Sequence, residues 1–446
     1  MTEKPAVSVI GLGKLGSPMI ACLADKGYRV IGVDVNPVAI EKINAGLAPV
    51  QEPGLDELLA KNRDRIRATS DYADAIANSE ASFIIVPTPS NEQGSFSLKY
   101  VLAAIEQIGA AVRHKDSFHL VVVTSTVMPG ATGSEILPAL EAASGKRCGE
   151  GFGLCYSPEF IALGNVIHDM LNPDFILIGE SDPRSGKMLA DIQLGMCNNQ
   201  PPVSYMNWVN AELAKISVNT FVTTKISYAN MLGEICERLP GANVDVVTNA
   251  IGQDSRIGKK YLKGATGYGG PCFPRDNVAF SVLARSVGAD ATIAEATDTI
   301  NRRQAARLVT HLLPQLPENA KVGVLGLAYK PDTNVIEESQ GVALAQELLS
   351  KGIPVILYDP LALDNTRQVL GDQPIYADSV KDCVQQADAI VITTACQEFK
   401  AIEPADLSNA QSPQRKILVD CWRLLDRDKF TAVCEYVALG VGSPTV

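Results

Sequence analysis

Residues 7–16 read Val7-Ser8-Val9-Ile10-Gly11-Leu12-Gly13-Lys14-Leu15-Gly16. Three of the first four side chains are β-branched and predict a short strand. It runs into a G-x-G-x-x-G turn, and the stretch Leu15 to Lys26 predicts a helix behind it. In that setting Gly11 permits the tight turn, Gly13 admits a pyrophosphate, and Gly16 lets helix and strand pack closely. The pyrophosphate then rests on the helix N-terminus. Leu12, Lys14 and Leu15 complete the turn and join the three glycines as expected cofactor contacts. The next strand candidate, Arg29 to Asp34, ends on a carboxylate 34 − 16 = 18 residues beyond Gly16. That is near the spacing of about 20 at which an acidic residue accepts from ribose hydroxyls. A carboxylate there repels a 2′-phosphate, so the expected cofactor is NAD rather than NADP. A glycine-rich turn that binds nothing is the plain alternative.

Outward from this turn, further strand candidates are Ser82 to Val86, His119 to Thr124 and Phe175 to Ile178, with helical stretches such as Lys99 to Val112 between them. Such alternation implies a parallel sheet covered by helices on both faces. One long amphipathic helix is predicted from Asn207 to Arg238, and another from Asn243 to Ile251 after Pro240-Gly241. A strand returns at Lys321 to Leu327, followed by helix Val342 to Ser350 and strands Val355 to Tyr358, Ala389 to Thr393 and Ile417 to Val419. The expected fold is α/β: two Rossmann-like parallel-sheet domains joined by a long central helix in a helical middle domain. The boundaries expected are 1–203, 204–302 and 303–446. The second α/β unit opens Gly323-Val324-Leu325-Gly326-Leu327-Ala328 without a third glycine. It is therefore expected to offer a mononucleotide crevice rather than a dinucleotide site. The long helix is expected to carry a homodimer interface, a plain interdomain spacer being the alternative.

A chain of 446 residues exceeds a single core. The net charge of −11 argues against nucleic-acid or anionic-membrane partners. No run of 18 apolar residues is present, and the N-terminus lacks a basic segment leading into an apolar one. Ten scattered cysteines without a C-x-x-C pair are expected to be reduced thiols in a cytoplasmic protein. Four histidines, none at metal spacing, give no reason to expect a metal.

The most constrained stretch is Gly267-Tyr268-Gly269-Gly270-Pro271-Cys272-Phe273-Pro274-Arg275-Asp276. Glycines allow close backbone approach to a ligand, and prolines fix the turn that aims the thiol. Locally, a small buried apolar cysteine fits as well. Three further clusters bear on that choice. Val123-Thr124-Ser125-Thr126-Val127 ends a strand, Tyr156-Ser157-Pro158-Glu159-Phe160 places a carboxylate after another, and Lys215 and Asn219 stand one turn apart on the long helix. Each is also explicable as ordinary strand, turn or polar helix face. An NAD enzyme oxidising an alcohol only to a carbonyl needs no thiol. A thiol is needed when an aldehyde must give up a second hydride, because its thiohemiacetal can do so and leaves a hydrolysable thioester.

With these stretches, with Glu52-Pro53-Gly54-Leu55, Thr88-Pro89 and Leu327-Ala328-Tyr329-Lys330, the chain resembles the UDP-glucose/GDP-mannose dehydrogenase family along almost its whole length. These are NAD-dependent four-electron nucleotide-sugar 6-dehydrogenases. The resemblance implies Cys272 as nucleophile, Lys215 and Asn219 at the C6 oxyanion, Asp276 ordering water, and Thr126 and Glu159 flanking the reacting carbon. It implies cofactor contacts from Thr88, Pro89, Ser125, Thr126 and Arg275. For the nucleotide sugar it implies Glu159, Phe160, Lys215, Asn219, Arg256, Tyr261, Leu262, Tyr268, Gly269, Gly270, Lys330 and Arg423. The implied substrate is a UDP-hexose, foremost UDP-glucose. UDP-N-acetylhexosamine and GDP-mannose are alternatives, and a two-electron hydroxyacid dehydrogenase or a non-catalytic nucleotide-sugar sensor are more distant ones. Three positions depart from the usual pattern. Leu163 stands for a second glutamate, Glu337 for an arginine, and Asp420-Cys421-Trp422-Arg423 for Asp-Gly-Arg, leaving Arg423 as the nearest substitute.

Overall fold

The computed structural model describes residues 4–407 and 415–443. The chain divides into two compact units, one ending at Ser217 and the other beginning at Val218. That division falls inside a single helix, Trp208–Glu237.

The first unit is built on eight strands: β1 Val7–Ile10, β2 Val30–Val33, β3 Ile66–Thr69, β4 Ala81–Ile84, β5 His119–Val123, β6 Phe152–Tyr156, β7 Ile176–Glu180 and β8 Val203–Met206. Their spatial order is β3-β2-β1-β4-β5-β6-β7-β8. The first six follow the 3-2-1-4-5-6 order of a dinucleotide-binding sheet, whose ligand crevice opens where the order reverses, between β1 and β4. All neighbours are parallel except β6 and β7, where Cys155 faces Glu180 and Tyr156 faces Gly179 in antiparallel register. The chain turns back at the carboxyl end of β6 instead of crossing to its amino end. Val7 and Val9 pack with Met19, Ile20 and Leu23 of helix Gly16–Asp25 on one face of the sheet. Ile10 packs with Ile105, Ile108 and Leu140 on the other. This two-sided burial is why strands such as Val30–Val33 read as continuous apolar runs.

The second unit carries helices Val244–Ile251, Phe273–Ser286, Thr292–Arg302 and Gln304–Leu312 after the long helix. Its sheet comprises β9 Val322–Leu325, β10 Val355–Tyr358, β11 Ile375–Tyr376, β12 Ala389–Ile392, β13 Ile417–Asp420 and β14 Glu435–Ala438. The order is β11-β10-β9-β12-β13-β14, parallel throughout. Its switch point lies between β9 and β12.

The two sheets share more than strand order. In the first, Gly11 has φ +100°, and a Cβ on Gly16 would lie 1.8 Å from the Gly11 carbonyl oxygen. In the second, Gly326 has φ +105°, and a Cβ on Gly341 would lie 1.9 Å from the Gly326 oxygen. The third glycine expected to be missing is therefore present. An inserted loop, residues 327–339, displaces it to the start of helix Gln340–Ser350. Asp359, just beyond β10, is 4% exposed and accepts from the N–H groups of Leu327, Ala328, Leu361 and Ala362 at 2.8–3.0 Å. That carboxylate serves the protein's own backbone.

Candidate active site

The turn after β1 keeps room for a ligand at one position. A Cβ on Gly13 would meet nothing within 4 Å, whereas Gly11 and Gly16 are hemmed in by backbone. Asp34 ends the next strand with one oxygen accepting from Leu12 N–H at 2.6 Å and the other from Asn36 N–H at 2.8 Å. Leu12 is buried, Gly13 and Lys14 are exposed, and Leu15 is half-buried. These residues fit NAD: the open glycine admits a pyrophosphate, and the carboxylate stands at the ribose end of the turn. Across the switch point, Thr88 donates its hydroxyl to the Thr126 carbonyl at 2.8 Å. Ser125 donates to the Val86 carbonyl at 2.7 Å and accepts from Val86 N–H at 2.9 Å. The Ser125 hydroxyl thus ties the loops beyond β4 and β5 together, while Pro89 stays exposed beside them.

Also in the first unit, Lys215 donates from Nζ to the Glu159 carbonyl at 2.5 Å and lies 4.5 Å from the Phe160 ring centroid. Burial pushes the Glu159 carboxyl up to about 7, with Lys215 pulling the other way. The loop carrying both residues is anchored from below. Glu52, 9% exposed, accepts from Gly164 N–H at 3.0 Å and Val166 N–H at 2.8 Å. Asp169 accepts from Ala162 N–H at 3.1 Å, and Leu163 packs into the core.

In the second unit Cys272 is exposed at the start of helix Phe273–Ser286. One turn in, Asp276 is 1% exposed. One of its oxygens accepts from Asn219 Nδ2 at 2.7 Å, and the other pairs with Arg275 at 3.2 Å. Asp276 therefore holds the Asn219 amide in place, and Arg275 is engaged with it.

The glycines before the thiol are closely hemmed in by the protein itself. A Cβ on Gly267 would lie 2.5 Å from Asn301 Oδ1, one on Gly269 would lie 2.3 Å from the Glu338 carbonyl oxygen, and one on Gly270, at φ +84°, 2.7 Å from the Tyr329 ring. Protein neighbours press on this backbone at all three positions. Tyr261 sits at φ +60°, half exposed, with its ring edge-on to Phe273 at 6.2 Å. Leu262 and Tyr268 are buried. Arg256 is a surface side chain paired with Asp254 at 2.6 Å. Lys330 is half-buried within the inserted loop, after Tyr329.

Arg423 is held within the protein. Its Nε and Nη2 bind Asp245 at 2.7 and 2.8 Å, Nη2 also donates to the Gly264 carbonyl, and Nη1 donates to the carbonyls of Cys421 and Leu439. All five guanidinium N–H groups are committed. Trp422 donates its indole N–H to the Thr393 carbonyl at 2.7 Å, beyond the end of β12.

A fingerprint turn with an acidic strand end, on a sheet of this order, defines an NAD-dependent dehydrogenase. The chain belongs to the UDP-glucose/GDP-mannose dehydrogenase family. It matches that family's NAD binding domain at residues 5–194, its central domain at 209–303 and its UDP binding domain at 323–427. It is 38% identical over 425 residues to a UDP-glucose 6-dehydrogenase of Haloferax volcanii, covering 94% of this chain and 97% of that one. It is 32% identical over 447 residues to one of Bacillus subtilis, covering 99% and 94%. Among solved structures, a UDP-glucose dehydrogenase from Pyrobaculum islandicum superposes with a TM-score of 0.88 at 34% identity, covering 99% of each chain.

Proposed function

We propose that this protein oxidises the C6 alcohol of UDP-glucose to the carboxylate of UDP-glucuronate, with two NAD reduced per sugar. The observation that carries the reading is an exposed thiol heading a helix, one turn from the buried Asp276–Asn219 pair, in a chain with an NAD cradle. NAD, when bound, supplies the hydride acceptor for each oxidation. Lys215 and Asn219 stabilise the oxygen on C6 as it gains negative charge. Cys272 adds its sulfur to the aldehyde carbon, and the carbonyl oxygen takes a proton. Loss of the second hydride, with the proton on that oxygen released to solvent, leaves a thioester on Cys272. Glu159, poised by burial near neutrality, takes a proton from the water that cleaves it, and Thr126 flanks that water. The thiol is released with the uronate. The backbone of residues 261–270, with Leu262 and Tyr268 beneath it, and Lys330 hold the nucleotide part.

We further infer a three-domain organisation with boundaries near 203 and 302, and a cytoplasmic homodimer paired through the long helix. Phe221, Tyr228 and Ile235 recur every seven residues on that helix and are 67%, 46% and 46% exposed, the pattern of a helix seam awaiting a partner. Among the described residues no helix is long and apolar enough to cross a membrane.

The test is NADH yield per UDP-glucose consumed. Two is expected, with uronate as product; one, with free aldehyde accumulating, overturns the reading. Cys272→Ala is expected to abolish uronate formation while leaving NAD affinity unchanged, and unaltered turnover in that variant would remove the thiol from the mechanism.

A further inference from the structure

The backbone leading to Cys272 is held by two helix asparagines in a way the reaction alone does not explain. Asn230, on the long helix and 3% exposed, accepts from Ala265 N–H at 2.8 Å and donates to the Thr266 carbonyl at 3.1 Å. Asn301, on helix Thr292–Arg302 and 5% exposed, accepts from Tyr268 N–H at 2.7 Å and donates to the Tyr268 carbonyl at 2.9 Å. Each amide thus satisfies both a donor and an acceptor of the loop, as a neighbouring strand would. Between and beyond them, the Thr266 hydroxyl donates to the Thr393 carbonyl at 3.3 Å and Gly270 N–H donates to the Glu337 carbonyl at 2.9 Å. Gly267 must lack a side chain because Asn301 Oδ1 occupies that space.

We propose that Asn301, supported by Asn230, is a positioning residue that aims Cys272 at the aldehyde before it can leave. The proposal rests on the thioester reading above. A loop without secondary structure is ordinarily mobile. Here the peptides of Ala265, Thr266, Tyr268 and Gly270, on the approach to the thiol, are tied to two helices, to the Thr393 carbonyl and to the Glu337 carbonyl. Catalysis by a covalent nucleophile depends steeply on such pre-alignment, because displacement by about 1 Å can cost on the order of a hundredfold. An asparagine is suited to the task where a charged residue is not. It supplies a donor and an acceptor from one rigid plane, and it carries no charge to bury.

The experiment uses the full-length protein with UDP-glucose and NAD, in the presence of an aldehyde trap such as hydroxylamine. Asn301→Ala is expected to lower kcat by roughly tenfold or more, with NAD affinity unchanged. The trap is expected to collect aldehyde, so that NADH per sugar falls from two toward one. Loss of folded protein alone would lower the rate but leave that ratio at two. Gly267→Ala, whose new methyl group would displace the Asn301 amide, should shift the ratio the same way and serves if Asn301→Ala does not fold. A ratio held at two with no trapped aldehyde in both variants overturns the proposal. If the unaltered protein itself fails to give two NADH per UDP-glucose, the functional reading fails instead.

Discussion

Glu159 illustrates what burial does to a single residue. Its carboxyl is raised from the ordinary value to about 7 because desolvation outweighs the attraction of Lys215. A raised folded value means that the folded chain holds a proton that the unfolded chain releases between about pH 4.5 and 7. Stability from this group is therefore present at low pH and lost as pH rises through that window. Glu159→Gln should flatten the pH dependence of unfolding there, as measured by urea titration at several pH values. If Glu159 acts as the base, the same variant should also lose the limb near pH 7 from its kcat/KM profile. A limb that persists would assign the titration to another group. The candidate residues were legible because Tyr156 to Phe160, Lys215 with Asn219, and Cys272 stand in short distinctive contexts. Their hydrogen-bond partners were not legible, since nothing near Asp276 in sequence announces Asn219, 57 residues away.

At the level of elements, the amino halves of β1, β4 and β5 share a buried polar network. Ser8 and Ser82 lie 2.6 Å apart, Ser82 reaches His119 Nε2 at 2.8 Å, and Lys115 reaches Nδ1 at 3.0 Å. Burial, reinforced by Lys115, lowers His119 to about 3, so the folded chain binds fewer protons than the unfolded chain between about pH 3 and 6.5. Stability from this group is full above 6.5 and lost as pH falls through the window. His119→Gln should reduce that acid sensitivity in unfolding curves, and an unchanged slope would dissociate His119 from it. The Arg423–Asp245 pair is the second such device, joining the segment after β13 to helix Val244–Ile251. Arg423 is buried while Asp245 is 31% exposed, so Arg423→Ala leaves a solvated carboxylate and costs mainly the bonds to the Gly264, Cys421 and Leu439 carbonyls, about 2 kcal/mol, seen as a lowered urea midpoint. Strands buried on both faces, such as β1, β5 and β12, announce themselves as apolar runs. Among the edge strands, Ile66–Thr69 alternates buried and exposed residues but over only four positions, while Ile375–Tyr376 and Glu435–Ala438 are partly exposed without alternation, so little periodic signal marks them.

For the whole molecule, the consequence that can be tested is assembly. Phe221→Glu places a charge on the exposed seam of the long helix and should convert a dimer to monomers in light scattering, with NAD affinity retained. A dimer that survives would move the interface elsewhere. The sequence by itself determined the α/β class, the NAD cradle and the constrained loop around Cys272, because each is written in contacts a few residues apart: strand to turn to helix, Gly16 to Asp34, Gly267 to Asp276. Only the tertiary structure revealed that Gly341 completes the second turn, that Arg423 is spent on Asp245 178 residues away, and that Asn230 and Asn301 grip the thiol loop. The physical reason is common to all three. Close packing and hydrogen-bond satisfaction are settled between surfaces that meet only once the chain has folded, and sequence spacing carries no record of which surfaces will meet.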